Sequence, residues 1–157
     1  FFTVYGPWGR PDMAPMIFSK SILEGSPIDV FNYGDMARDF TYIDDVVEAI
    51  FRCCKKPAKI DSDFNQSMPN PSTSFAPYRL FNVGSNRPIK LLKFIELLEI
   101  NLEKKAVINF KELQEGDVIE TSSDSNLLSD WINFKPKVEI DIGLKNFVSW
   151  FRNYYKY

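Results

Sequence analysis

The spacing of apolar residues in this chain switches repeatedly between that of a strand and that of a helix. Residues 1–5 and the segments PIDVFN and AVINF have the composition of short strands. Between them, KLLKFIELLEINLEKK places apolar residues on one face and charges on the other, which indicates an amphipathic helix. The alternation predicts an α/β fold whose strands are too short and scattered for a complete doubly wound sheet. A lobe that docks on a larger domain fits this pattern better.

Turn and capping residues mark where the predicted helices begin and end. Pro15 fits the first turn of one helix, and Gly25 fits the position after its last residue. A second helix carries Asp44 and Asp45 in its first turn and is closed by Pro57. Negative charge stabilises the start of a helix, and adjacent helical carboxylates do not converge on one point. We therefore predict a structural role for this acidic pair.

The rest of the chain predicts a long loop, a strand and two helices. Residues 57–77 are rich in Ser, Pro, Asn and Asp and lack periodicity, which indicates an exposed and mobile loop. The segment YRLFNVG predicts a strand, whereas residues 126–131 and 143–155 predict a short helix and a closing helix.

The composition excludes several kinds of functional site. The chain contains no His, so no imidazole base and no Ser-His-Asp or Cys-His mechanism can be built from it. The net charge is -2 and no run of Lys and Arg occurs, which argues against a nucleic-acid partner. Cys53 and Cys54 are neighbours, a spacing that suits neither a disulfide nor a metal site and indicates a reducing, cytoplasmic compartment. No apolar run is long enough to span a membrane, and no signal peptide opens the chain.

The first residues indicate a piece of a longer protein. The chain begins FFTVYGPW, inside an apolar and β-prone run. Natural N-termini usually carry Met followed by polar, frayed residues. We therefore expect the chain to be a fragment, and any expectation about signals or anchors applies to this segment alone.

Five segments of the chain occur in an order that is typical of one enzyme family. They are FFTVYGPWGRPDMAP, PIDVFN, MARDFTYIDDVVEAI, APYRLFNVGSNRPIKLLKFIELLE and QEGDV. Together they resemble the nucleotide-sugar epimerases of the extended short-chain dehydrogenase/reductase family. The resemblance leaves out only the loop between Lys56 and Ser74. It implies that residues 1–157 are the C-terminal, substrate-binding lobe of a Rossmann-type epimerase.

Two motifs of that family are missing from this chain. The seven glycines are too dispersed to form the phosphate-binding turn Gly-x-x-Gly-x-x-Gly. No Lys lies four residues after any of the seven tyrosines, so the acid/base motif Tyr-x-x-x-Lys is missing as well. The resemblance places both motifs in an N-terminal half that binds most of the NAD, and it leaves only Phe2 close to the nicotinamide. We therefore expect the chain alone to be inactive.

The resemblance assigns the uridine and pyrophosphate of a UDP-sugar to several residues of this chain. Arg38 donates to the pyrophosphate, a task that suits the guanidinium fork, whereas Asp39 fixes local structure. Without the family resemblance, Arg38 and Asp39 would be interpreted as a solvent-exposed ion pair. Residues 29–31, which are Asp29, Val30 and Phe31, run past the uracil, where backbone groups read the base edge and the Phe ring gives apolar contact.

The segment QEGDV matches the family loop that reaches the ribose. Asp117 supplies the carboxylate for the ribose hydroxyls, and Gln114 stands where some relatives carry a phosphate-binding Arg. Without the resemblance, Glu-Gly-Asp is an ordinary surface turn.

Thr3 and Arg10 point to the identity of the sugar. By themselves they are a strand residue and a surface loop residue. In VYGPWGRPDM the pair resembles the subgroup that acts on UDP-glucuronate, whose C6 carboxylate is held by a hydroxyl and a guanidinium. Oxidation at C4 creates a β-keto acid, and a bidentate contact to the carboxylate keeps the scissile bond away from the alignment that releases CO2.

The resemblance thus implies an NAD-dependent parent enzyme that catalyses C4 epimerisation of UDP-glucuronate to UDP-galacturonate. Because enzymes of this family often form homodimers, it also implies a homodimeric parent. Three alternatives stay open. The parent could be a UDP-glucuronate decarboxylase or a 4-epimerase for neutral or N-acetylated sugars, or the chain could be a non-catalytic module that binds sugar nucleotides.

Overall fold

The computed structural model describes all residues from 1 to 157. Five α-helices and six short strands follow one another along the chain. The helices are α1 (Ala14–Glu24), α2 (Ile43–Lys55), α3 (Leu91–Leu102), α4 (Asn126–Ile132) and α5 (Ile140–Tyr155). The strands are β1 (Val4–Tyr5), β2 (Pro27–Val30), β3 (Ala37–Asp39), β4 (Thr41–Tyr42), β5 (Pro88–Lys90) and β6 (Val107–Phe110).

The strands form three separate two-stranded sheets instead of one continuous sheet. β1 pairs with β4 and β2 pairs with β6, both in parallel, whereas β3 and β5 are antiparallel. The prediction of an α/β chain with short, scattered strands is therefore confirmed. Parallel pairs are normally found inside larger sheets that are covered by helices on both faces.

Most of the core lies between α1, α3 and α5. It is a cluster of 16 buried residues in which Phe94, Leu98 and Phe147 are completely inaccessible to solvent. Phe40 stacks on Phe94 with 4.4 Å between the ring centroids, which joins the segment between β3 and β4 to this core. A smaller cluster of five buried residues, centred on Leu128, packs α2 against α4.

The capping signals of the first two helices have the predicted effects. Pro15 lies in the first turn of α1, and Gly25 follows its last residue with a left-handed φ of 75°. Asp45 lies in the first turn of α2, where its carboxylate accepts hydrogen bonds from the backbone N–H groups of Lys137 and Val138 at 2.9 and 2.8 Å. The structural role predicted for the acidic pair is thus confirmed for its buried member.

Two predictions about the second half of the chain are wrong. YRLFNVG forms no strand, because no neighbouring strand lies beside it: Phe2 donates one backbone hydrogen bond to Val83, and Arg79 makes one isolated bridge with Thr73. The strand of this region is β5 instead, which begins with Pro88, a position at which proline removes no ladder hydrogen bond. The closing helix begins at Ile140 instead of Gly143.

Helix α2 is apolar on two sides. Val46 and Ala49 are buried against the smaller cluster. On the other side, Val47, Ile50 and Phe51 are 56%, 46% and 53% exposed and lie at positions i, i+3 and i+4. An apolar stripe of this kind is a surface that a further protein segment can cover. None of the helices has the combined length and apolarity that a membrane crossing requires.

Residues 57–77 contain no helix and no named strand, and their mobility stays a prediction. Because this segment offers little apolar surface to offset the entropy of ordering, we expect chymotrypsin to cut first at Phe64 or Phe75. Phe94, which is buried in α3, serves as the internal control. Mass spectrometry of the earliest fragments checks the order, and a first cut at Phe94 would show that the mobile region is assigned wrongly.

Candidate functional site

A cleft of about 230 Å³ is lined by residues from several separate segments of the chain. We call it the Arg38 cleft. Five of the residues that the resemblance singles out line it: Thr3, Asp29, Phe31, Arg38 and Asp117. Asp117 is 79 residues away from Arg38 along the chain, so the fold itself brings them together.

The pairing of β2 with β6 places Asp29 at the cleft. Along β2 the side chains alternate, so that Ile28 and Val30 are buried while Asp29 is exposed. The amide of Asn109, which stands opposite in β6, donates to the Asp29 carboxylate at 2.7 Å. Val30 is fully buried and its carbonyl accepts from the Lys111 N–H at 2.9 Å, so neither its side chain nor that carbonyl faces the cleft.

Arg38 is fixed in its orientation by three acceptors. Its Nη2 donates to the Asp117 carboxylate at 2.7 Å, and its Nη1 donates to the carbonyls of Ile119 and Ala37 at 3.1 and 3.0 Å. The Arg38 side chain is 21% exposed and the Asp117 side chain 35% exposed. A partly buried, immobilised guanidinium is suited to binding phosphate oxygens, because its remaining N–H donors are already oriented.

Asp39 turns away from the cleft and ties three segments together. Its carboxylate accepts hydrogen bonds from the backbone N–H groups of Ser85, Asn86 and Ser123 and from both serine hydroxyls. Burial raises the pKa of this carboxyl, but the hydrogen bonds from Ser123, Ser85 and Asn86 outweigh burial and hold the pKa below its ordinary value. Asp39 is therefore structural, as predicted, and it holds β3 in place beneath Arg38.

A second cavity of about 450 Å³ lies beside the first and shares Thr3 with it. We call it the Arg10 pocket. Arg10 lines it with a side chain that is 72% exposed and makes two hydrogen bonds to Asp12, from Nε at 3.1 Å and from Nη2 at 2.9 Å. Since exposed ion pairs contribute only about 0–1 kcal/mol, another carboxylate can replace that of Asp12.

Besides the buried Val30, two predicted site residues lie outside both cavities. Phe2 is half-buried, and its N–H is bonded to the carbonyl of Val83 at 2.9 Å. Gln114 is exposed, and its carbonyl accepts from the Asp117 N–H at 3.1 Å to close the turn that contains Gly116 at a φ of 81°. Gln114 thus shapes the loop that presents Asp117 instead of lining the cleft.

Apolar residues of the Arg38 cleft were missed by sequence reasoning. Met13, Met36 and Leu91 line it beside the polar groups. Their side chains follow the same periodicity as core residues, so no sequence signal separates the two roles. The largest cavity, of about 530 Å³, lies between α1 and the end of α5 and contains none of the predicted site residues.

Comparison with known proteins finds similarity to epimerases. Residues 1–66 match the "NAD dependent epimerase/dehydratase family". Protein CapI of Staphylococcus aureus is 49% identical over 99% of this chain and 47% of its own length. A probable UDP-glucuronate 4-epimerase of Rhizobium meliloti is 42% identical over 99% of this chain and 46% of its own length.

The fold matches solved structures of the same kind. The crystal structure of UDP-glucuronic acid 4-epimerase from Bacillus cereus in complex with UDP-glucuronic acid and NAD superimposes with a TM-score of 0.78 at 28% identity. The match covers 98% of this chain and 44% of that structure. The chain therefore spans about half the length of the relatives that it matches, 47% in the case of CapI.

Proposed function

We propose, from this relationship to the NAD-dependent epimerases, that the chain is the substrate-binding part of an enzyme that converts UDP-glucuronate to UDP-galacturonate. The observation that carries the proposal is the Arg38 cleft, in which an oriented guanidinium, two carboxylates, a hydroxyl and an aromatic ring come together. A cleft of this composition suits a ligand with a pyrophosphate, sugar hydroxyls and a flat base.

The nucleotide part of the substrate is matched by groups from distant parts of the chain. The Arg38 guanidinium supplies charge-assisted hydrogen bonds to the pyrophosphate. Asp117, whose Oδ1 already holds Arg38 at 2.7 Å, is placed to accept hydrogen bonds from the ribose hydroxyls with its other oxygen. Phe31, the residue after β2, offers its ring to the uracil, and the exposed Asp29 lies near it in the same cleft.

According to this proposal, the sugar lies at Thr3, where the two cavities meet. The Thr3 hydroxyl and the Arg10 guanidinium are then placed to hold the C6 carboxylate. A clamp of this kind selects UDP-glucuronate, because a neutral sugar has no charge for Arg10 to bind. It also protects the keto acid formed on oxidation at C4 from losing CO2.

The residues of this chain do not form an NAD site by themselves. They contain neither the glycine-rich turn nor Tyr-x-x-x-Lys, and Phe2, the one residue assigned to NAD, has its N–H bonded to Val83. We propose that the part of the relatives that this chain does not match binds NAD and supplies the acid/base. The exposed stripe of Val47, Ile50 and Phe51 on α2 is the surface that this part would cover.

The chain alone is expected to show no epimerisation, because both missing motifs serve the redox chemistry. The purified chain is incubated with NAD and UDP-glucuronate, and UDP-galacturonate is followed by chromatography. The complete natural protein that contains the chain serves as the positive control, and formation of a UDP-pentose would identify a decarboxylase instead. Turnover by the chain alone above a blank would contradict the division of labour proposed here.

Location and assembly belong to the same proposal. Cys53 and Cys54 are free thiols, which is consistent with a reducing cytoplasm. A homodimeric parent is proposed from the family resemblance, and analytical ultracentrifugation of the complete protein tests it.

A further inference from the structure

The loop that carries Arg10 has little hydrogen bonding of its own. In residues 6–13, which we call the Arg10 loop, only two backbone hydrogen bonds are closed within the loop, both at 3.2 Å, from Gly9 to Gly6 and from Met13 to Arg10. The Arg10 side chain is bonded only to neighbours in the same loop. Contacts with the rest of the fold therefore contribute to the position of the loop backbone that carries Arg10.

Trp8 makes those contacts and does so in a strained conformation. Its φ of 62° is left-handed, a conformation that is unusual and unfavourable for a bulky residue. Trp8 is 74% exposed, but its indole contacts helix α5 on one side. Its ring centroid lies 5.6 Å from that of Trp150, with the two rings tilted, and 5.0 Å from that of Tyr154, with the two rings edge-on. Aromatic pairs of this kind are favourable and oppose the strain of the left-handed backbone.

The partner surface belongs to a helix that is packed in the core. Trp150 and Tyr154 are stacked on each other at 5.5 Å. The same helix is fixed in the core through Phe147 and Phe151, which are 0% and 2% exposed. Trp8 therefore connects the Arg10 loop to one of the best-anchored elements of the fold.

We propose that Trp8 is a positioning residue for substrate specificity, which holds the Arg10 loop against α5 so that the guanidinium stands opposite Thr3. Trp8, Arg10 and Thr3 all line the Arg10 pocket. The proposal rests on the function proposed above, since it acts through the carboxylate clamp. Loss of the indole frees the loop and lowers the fraction of molecules in which Arg10 is in place.

The experiment measures dissociation constants for UDP-glucuronate and UDP-glucose in the complete natural protein that contains this chain. Trp8→Gly removes the ring and suits the left-handed backbone, so the variant loses the stack without adding backbone strain. We expect UDP-glucuronate to bind roughly two- to tenfold more weakly, with UDP-glucose unchanged. Trp8→Phe, which keeps an aromatic ring, should recover most of the loss.

Tyr154→Ala gives an independent check, because this residue lies on α5 and does not line the Arg10 pocket. It should produce the same selective loss in a milder form. An equal loss for both nucleotides in Trp8→Gly would instead indicate direct contact between the indole and the ligand, and no loss would show that the stack is irrelevant. Either result overturns the proposal.

Arg10→Ala separates this proposal from the function on which it rests. If Trp8 acts through Arg10, adding Trp8→Gly to Arg10→Ala should cause no further loss of UDP-glucuronate binding. If Arg10→Ala is selective and Trp8→Gly is not, only the role of Trp8 is wrong. If Arg10→Ala itself affects both nucleotides equally, the carboxylate clamp is wrong and the role of Trp8 falls with it.

Discussion

Asp39→Ala is expected to lower the free energy of unfolding of this chain by about 2–4 kcal/mol. The substitution leaves three backbone N–H groups and two hydroxyls without the carboxylate that accepts from them, in a place that solvent does not reach. Urea denaturation measures the change. Asp12→Ala is the matched control, since its exposed carboxylate makes only the Arg10 pair and should contribute less than about 1 kcal/mol.

The same carboxylate predicts how stability depends on pH. Its pKa is lowered in the folded protein, because the hydrogen bonds from Ser123 and Ser85 outweigh the opposing effect of burial. Its contribution is therefore present above the unfolded pKa, about 4, and is lost as the pH falls through the folded pKa. The stability difference between the wild type and Asp39→Asn should shrink as the pH is lowered from 6 towards 2. A difference that is the same at every pH would show that Asp39 does not titrate as the structure implies.

Local chemistry was sufficient to predict most of the helices. Pro15 and Gly25 mark the ends of α1, and the amphipathic pattern of residues 90–105 predicts α3 without tertiary information. The strand predicted at YRLFNVG failed for a different reason. Its composition favours extended backbone, but a strand exists only where a neighbour completes the ladder, and β5 has such a neighbour in β3.

The candidate site was less accessible to sequence reasoning. Nothing in the spacing of Arg38 and Asp117 indicates that they meet at 2.7 Å, so only the family resemblance could bring them together. The stack of Trp8 on α5 was not predicted, because its partners Trp150 and Tyr154 lie more than 140 positions away along the chain. The pairing of Arg10 with Asp12 was also missed, although their spacing made it a local possibility.

Substrate selectivity gives the sharpest test of the proposed function, because the two arginines make opposite predictions. In the complete natural protein, Arg10→Ala should weaken UDP-glucuronate by roughly one to two orders of magnitude, since a charge-assisted contact contributes about 1.5–3 kcal/mol. UDP-glucose should be nearly unaffected, because it has no carboxylate. Arg38→Ala should weaken both nucleotides alike, because the pyrophosphate is common to them.

Two further variants show whether the charge of the clamp is responsible. Thr3→Val removes one neutral donor and should cost less than Arg10→Ala. Asp12→Asn keeps Arg10 and removes only the carboxylate that competes for it, so it should tighten UDP-glucuronate by up to roughly fivefold. Dissociation constants and kcat/KM for both nucleotides are measured in each variant. Equal losses of affinity for the two nucleotides in Arg10→Ala would exclude the clamp. The reason for preferring UDP-glucuronate over a neutral sugar would then be lost as well. The Arg38 cleft would still be tested by Arg38→Ala alone.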